Sequence, residues 1–339
     1  MSKQKHILVI RLSAMGDVAM LVPVLQALFQ QNENIKVTVL SRKFLKPIFD
    51  TEITGLPVNF VEADTKNKHK GFLGIYKLYK ELKKLNIDLV ADTHNVLRSK
   101  ILGLFFKLSS KKVIKIDKGR AEKKALTKTA NKVFKQLKTT HQRYADVFKN
   151  LGFNLDLNHH NFYKKPNIPN TFFFQKTSGK QIGIAPFAQY QGKMYPLHLM
   201  EQVIEKLAKN NAIYLFGGGK KEVTLLTTIA NKYDTVTNLA GELNLKSELQ
   251  IIANLDVMVA MDSGNAHFAA MFGVKTVTIW GVTHPFAGFA PYKQQENCLV
   301  PDVKKYPNLP CSVYGNKICD GYENVMETIS VETIIEKIL

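Results

Sequence analysis

The chain has 339 residues, 45% of them hydrophobic, enough to bury two cores of middling size. Its formal charge is +19, and the excess sits in one half: residues 1–170 hold 32 lysines and arginines against 13 acids, residues 171–339 hold 15 against 15. The longest apolar run, 18–29, is interrupted by Pro23 and Gln26 and is too short for a bilayer-spanning helix, which needs about 20 residues.

The first apolar run is cut at Arg11, too early for a signal peptide, which predicts a cytoplasmic protein. Cys298, Cys311 and Cys319 form no C-x-x-C pair and are expected as free thiols in a reduced compartment.

In chain order, strand-like runs lie at 7–10, 35–40, 58–62, 87–91 and 113–116. Helix-like runs fall between and after them, at 18–30, 44–49, 72–85, 96–108 and 141–151. In the third of these, Phe72, Ile75, Tyr76, Tyr79 and Leu82 recur at helical spacing, with lysines between. Residues 152–178 lose the period, and an edge strand is expected at 171–174. The alternation then restarts: strands at 181–185, 212–216, 236–239, 257–261 and 276–280, helices at 197–209, 222–231, 247–254, 265–272 and 331–338. Alternation of this kind predicts two successive Rossmann-like domains, each a parallel sheet covered on both faces. The boundaries are set at 1–165 and 179–339, with 166–178 as linker. A ligand cleft is expected at the C-terminal ends of the strands.

Four stretches carry chemistry. RLSAMGDVAML follows the first strand and places an acid, Asp17, after Gly16 at a helix start. A carboxylate there is either a cap or a general base. MDSGNAH (261–267) joins a strand to a helix, and Ser263, Gly264 and free backbone N–H groups would cradle an anion, with His267 nearby. Asp262 and Ser263 could equally only cap that helix. LFGGGKKE (215–222) is a glycine-rich turn whose Glu222 could grip a ribose. It matches neither G-x-G-x-x-G nor a P-loop. In APFAQYQGKMYP (185–196), Lys193 is a candidate counter-charge for a diphosphate. There is no D-x-D or H-E-x-x-H, so no metal is expected.

The opening ILVIRLSAMGDVAMLVPVLQAL and the later DSGNAHFAAMFGVKTVTIWGVTHP resemble the N- and C-terminal signatures of glycosyltransferase family 9, the bacterial heptosyltransferases of lipopolysaccharide core assembly. GKMYP resembles the family's Gly-Lys-x-Trp-Pro, with Tyr195 in place of Trp. GGGKKE resembles its glycine-rich loop, and ADTHNVLRS (91–99) its Asp-Leu-Gln-Gly stretch, with Thr93-His94-Asn95 departing from it.

The resemblance implies a GT-B fold, two Rossmann-like domains facing across a cleft. It implies inverting, metal-independent sugar transfer from a nucleotide diphosphate, ADP-heptose, to a lipid A–Kdo acceptor, without a cofactor. By motif position Asp17 is the catalytic base. Lys193, Glu222, Asp262, Ser263, Gly264 and His267 hold the donor, and Asp92 and Arg98 the acceptor. The basic first half suits an anionic glycolipid and peripheral contact with the cytoplasmic face of the inner membrane. The alternatives are a sugar-nucleotide epimerase of the same fold and a nucleic-acid-binding protein. For nucleic acid, aromatics should interleave with the basic residues, yet 111–138 contains only Phe134.

Overall fold

The computed structural model describes residues 4–339 and divides into two compact units. Unit 1 comprises residues up to 118 and 140–164; unit 2 comprises 119–139 and 165–339. Residues 119–139, expected with the first domain, thus belong to unit 2, as does the segment 166–178 expected as a linker.

Unit 1 runs β1 (Lys5–Ile10), α1 (Met15–Ala19), α2 (Leu21–Gln31), β2 (Ile35–Ser41), α3 (Thr51–Thr54), β3 (Val58–Glu62), α4 (Gly71–Lys83), β4 (Leu89–Asp92), α5 (Leu97–Leu108) and β5 (Lys112–Lys115). After α6 (Arg120–Leu126), which belongs to unit 2, it ends with α7 (Thr140–Leu151). Its strands pair in parallel, in the order β3-β2-β1-β4-β5. The central strand is buried on both faces: Ile7, Leu8, Val9 and Ile10 are fully covered, as a parallel sheet with helices on both sides requires.

The single helix expected at 18–30 is two helices. Pro23 lacks an N–H, and its ring clashes with the carbonyl four residues earlier, that of Ala19. The chain breaks at Met20 and α2 starts afresh. In α4, Ile75, Tyr79 and Leu82 face the core as the period predicts, but Phe72 and Tyr76 are exposed.

Unit 2 contains β6 (Gln181–Ala185), α8 (Leu197–Ala208), β7 (Ala212–Leu215), α9 (Lys220–Ala230), β8 (Val236–Asn238), α10 (Leu245–Ala253), β9 (Val257–Met261), α11 (Gly264–Ala270), β10 (Lys275–Ile279), β11 (Cys298–Leu299) and α12 (Val331–Ile338). Its parallel sheet has the order β11-β10-β9-β6-β7-β8. Counted within the unit this is 3-2-1-4-5-6 read from the β8 edge, the dinucleotide-fold order. Ser330 caps α12 as expected, accepting from the Thr333 N–H.

The segment 119–139 is tied in by Leu126 and Leu137, which pack on Ala287. The Lys123 ammonium lies 4.0 Å from the centre of the Phe289 ring. Part of the basic first half of the chain therefore belongs to unit 2.

Two further expectations are corrected. No strand forms at 171–174; Phe172 and Phe174 instead set their rings edge-on to Tyr214, which also accepts from the Gln175 N–H. Cys311 and Cys319 are joined in a disulfide, leaving Cys298 as the free thiol. Only eight positions separate the pair, so local chain geometry, not a C-x-x-C motif, brings them together.

Tyr195 is a core residue, 2% exposed, whose hydroxyl donates to the Ile329 carbonyl at 2.7 Å. Burial, aided by Glu332 and Glu327, pushes this phenol up to about 12. Tyr195→Phe strands the Ile329 carbonyl and is expected to cost about 1–2 kcal/mol by urea denaturation. An unchanged midpoint would mean that the bond contributes nothing.

Candidate functional site

In an open α/β sheet, ligands bind outside the carboxyl ends of the strands, where the strand order reverses. In unit 1 that point lies between β1 and β4, in unit 2 between β6 and β9. The predicted residues gather at these two places, and each is described within its own unit.

In unit 1, Arg11 follows β1 and is buried. Its Nη1 donates to the Thr93 carbonyl at 2.8 Å, and its Nη2 pairs with Asp17 Oδ2. The Asp17 backbone carbonyl accepts from the Tyr144 hydroxyl at 3.1 Å, and the Tyr144 ring stands 5.7 Å from the guanidinium carbon. Asp17 is the third residue of α1, not its N-cap. It only reaches back to the Ala14 N–H, at 3.4 Å. Its side chain stays 28% exposed while Arg11 is 6% exposed, so the carboxylate is held from beneath and open from above.

Asp92 is committed inward. It accepts from the His94 and Asn95 N–H groups at 3.0 and 2.7 Å and from the Ser99 hydroxyl at 2.9 Å. These bonds shape the turn from β4 into α5. Burial raises its pKa, against the pull of those donors. Arg98 is exposed on the first turn of α5 and borders a cavity of about 10 Å³ lined by Leu12, Thr65 and His69.

His94 packs beside Arg11, with its Nδ1 3.4 Å from the Leu12 N–H. Burial, then the charges of Arg11 and Lys118, lower its pKa to about 3 from the ordinary 6.5. The unfolded chain therefore takes up the proton first. The stability His94 contributes is complete above pH 6.5 and is lost as pH falls from 6.5 towards 3. At pH 5.5 the loss is about 1 kcal/mol. A His94→Asn variant is expected to show a flatter stability–pH curve over that window, read by urea titration; an identical slope would contradict it.

In unit 2, Lys193 ends a short 3₁₀ turn after β6, and its Nζ is 2.9 Å from Asp262 Oδ2, just after β9. The Thr283 hydroxyl, beyond β10, donates to the same oxygen at 2.9 Å. Lys193 and Asp262 are 13% and 9% exposed. The loops are locked to each other: the Val282 N–H donates to the Gly192 carbonyl at 2.9 Å and the Cys311 N–H to the Val282 carbonyl at 2.8 Å. Gly315, at φ +85°, lies over the Lys193 stem, where a Cβ would come within 2.3 Å of Lys193 Cδ.

Ser263 precedes α11 but makes no side-chain cap. Its Oγ is buried and has no hydrogen-bond partner among the described residues. Capping alone thus explains neither residue: Asp262 holds Lys193 and Thr283, and Ser263 has a polar atom to spare. Gly264 opens α11, and His267 is buried within it. Glu222 stands at the end of the adjacent strand, in the first turn of α9, and accepts from the Gly218 N–H at 2.8 Å.

The structure thus pairs Lys193 with Asp262 directly and sets Ser263 and Gly264 beside Asp262 in sequence. Sequence reasoning missed Arg11, which it used only to end an apolar run, and Tyr144. It also missed the positive charge of Arg11, Arg42 and Lys118 around His94. The available signal was a charged residue directly following a buried strand end at the switch point.

Fold and site together define a GT-B-type protein, two dinucleotide-fold units with polar residues at the switch points. The chain belongs to glycosyltransferase family 9 (heptosyltransferase), whose sequence pattern matches residues 75–317. By family it is a glycosyltransferase.

It is similar to lipooligosaccharide heptosyltransferase 2 of Campylobacter jejuni, serotype O:6, with 27% identity over 59% of this chain and 66% of the relative. The corresponding serotype O:2 protein is matched over 56% of its length. The chain thus spans somewhat over half of each of these two relatives. It is also similar to the lipopolysaccharide core heptosyltransferase OpsX of Haemophilus influenzae, at 23% identity over 98% of this chain and 95% of that one.

Among solved structures, a family 9 glycosyltransferase from Veillonella parvula superposes with a TM-score of 0.73 at 17% identity, covering 99% and 97% of the two chains. E. coli heptosyltransferase WaaC with ADP-2-deoxy-2-fluoro heptose superposes at 0.67 and 16%, covering 98% of each. These likenesses bear out the fold.

Proposed function

We propose that the protein transfers heptose from ADP-heptose to a lipid A–Kdo type glycolipid of lipopolysaccharide core assembly, with inversion and without a metal ion. The carrying observation is the switch-point cluster of unit 2: a nearly buried Lys193 steadied by Asp262 and Thr283, beside a buried Ser263 hydroxyl with no partner. Unpaired buried polar groups cost about 1–3 kcal/mol, and a ligand oxygen would relieve that cost.

In this reading Lys193 and the backbone around Ser263 and Gly264 hold the donor's diphosphate, His267 supports them from within α11, and Glu222 takes the ribose. Asp262 is the anchor that aims Lys193. The acceptor hydroxyl oxygen bonds to the anomeric carbon as the carbon–oxygen bond to the diphosphate breaks. Asp17 takes the hydroxyl proton, and ADP leaves with its charge offset by Lys193. The cations Arg11, Arg42 and Lys118 favour an anionic acceptor in unit 1, where Arg98 is exposed; Asp92 shapes that loop.

Relatives named as lipooligosaccharide and lipopolysaccharide core heptosyltransferases support both donor sugar and acceptor. The family match favours transfer over epimerisation and over nucleic-acid binding. No helix among the described residues is long and apolar enough to cross a membrane. The test is a thermal-shift series of nucleoside diphosphates and their sugars. A bound nucleotide raises the melting temperature by mass action. ADP and ADP-heptose are expected to stabilise the protein, and no stabilisation by either would refute the donor assignment.

A further inference from the structure

Two neighbouring helices of unit 1 carry large apolar side chains on their outer as well as their inner faces. The inner face of α4 carries Leu78 and Leu82, and that of α5 carries Leu102 and Phe106. On the outer faces, apolar side chains stand among lysines. Leu73 is 80% exposed, Leu97 73%, Leu108 75% and Phe72 61%, with Leu104 also exposed. Along α5 the exposed leucines fall at 97, 104 and 108, spacings of seven and four that set them on one face of the helix.

The two stripes are joined. The Phe105 ring lies 5.6 Å from that of Phe72 and 5.3 Å from that of Tyr76. A joined patch of exposed large apolar side chains of this kind marks an interaction surface.

The charges among these side chains say what covers them. Between residues 71 and 112 there are nine lysines and arginines and three acids. Of the acids, Asp92 is buried and Glu81 is paired with Lys68 and His69. Lys80 lays its ammonium 5.1 Å from the Tyr76 ring centre, its stem along apolar surface. Large exposed apolar side chains interspersed with lysines match the interface of an anionic bilayer, where the chains enter the acyl boundary and the lysines meet phosphates. A second copy of this face would set the same lysines against each other.

We infer that the outer face of α4 and α5 docks on an anionic lipid bilayer. This deepens the reading above, on which it rests for the choice of a glycolipid-bearing membrane.

The test is co-sedimentation of the full chain with phosphatidylglycerol/phosphatidylethanolamine vesicles and with phosphatidylcholine vesicles, at low and high salt. The expected result is binding to the anionic vesicles that weakens with salt without vanishing, since only the ionic part is screened. The double variant Leu104→Asp/Leu108→Asp is expected to bind about tenfold or more weakly, with an unchanged melting temperature as control. Trp280 is the chain's only tryptophan and is buried. A Leu108→Trp variant should therefore give an added emission that shifts to the blue on anionic vesicles.

Equal binding of the double variant and the parent, or no emission shift, overturns the proposal. So does dimerisation that Leu108→Asp abolishes, or equal affinity for polyglutamate. Transfer to a delipidated, water-soluble Kdo acceptor separates the two readings. If the parent transfers sugar but ignores vesicles, the docking face alone is wrong. If vesicles bind and no sugar moves, the docking face stands and the transferase reading falls.

Discussion

Asp17→Asn is expected to lower turnover by about 10²–10⁴-fold, the usual worth of a general base, while donor affinity stays within a factor of about two, because Asp17 belongs to unit 1 and the proposed donor residues to unit 2. Asparagine keeps the shape of the side chain and an oxygen for Arg11, but it cannot accept the acceptor's proton. The Arg11 pair adds a cost that the motif alone does not show. Arg11 is 6% exposed, and a buried guanidinium without its counter-charge destabilises the fold. Because Asp17 is partly solvated, the loss is expected to be about 1–2 kcal/mol rather than the full cost of a buried pair. Side-by-side measurement of kcat, donor affinity and melting temperature separates the roles. Normal turnover with early melting would make Asp17 a partner of Arg11 and nothing more.

Lys193→Ala is expected to weaken ADP-heptose binding by roughly 10- to 150-fold, the equivalent of losing one charged hydrogen bond of about 1.5–3 kcal/mol. The substitution leaves Asp262 nearly buried without its cation, with only Thr283 still donating to Oδ2. An uncompensated carboxylate beside the proposed diphosphate repels it, so the effect should lie at the upper end of that range. The double variant Lys193→Ala/Asp262→Asn removes that repulsion and is expected to recover part of the affinity. Calorimetric titration reads both. Equal affinity for the parent and Lys193→Ala would place the diphosphate elsewhere.

The sheets were legible because their central strands are short buried apolar runs bounded by polar turns; 181–185 and 257–261 match β6 and β9 residue for residue. Elements without an apolar period were not. The α6 segment RAEKKAL reads as a solvated charge run, yet Leu126 at its end anchors it to unit 2. The strand β11 is two residues long and has no pattern to detect. The candidate anion-site residues could be picked out from turn chemistry, since glycine, serine and lysine after a strand suit an anion. Pairings are a different matter: that Lys193 meets Asp262, 69 positions away, or that Arg11 meets Asp17, depends on loop geometry. The same limit hid the α4–α5 face, because a period places apolar residues on a helix without telling which stripe is covered.

The most direct measurement of the central claim is mass spectrometry of a lipid A–Kdo acceptor incubated with ADP-heptose and the purified protein, with Asp17→Asn alongside. The acceptor is predicted to gain one heptose residue, with one ADP released per residue added and little gain with the variant. An unmodified acceptor with the donor converted to its epimer, or no change in either substrate while ADP-heptose still binds, would contradict the account.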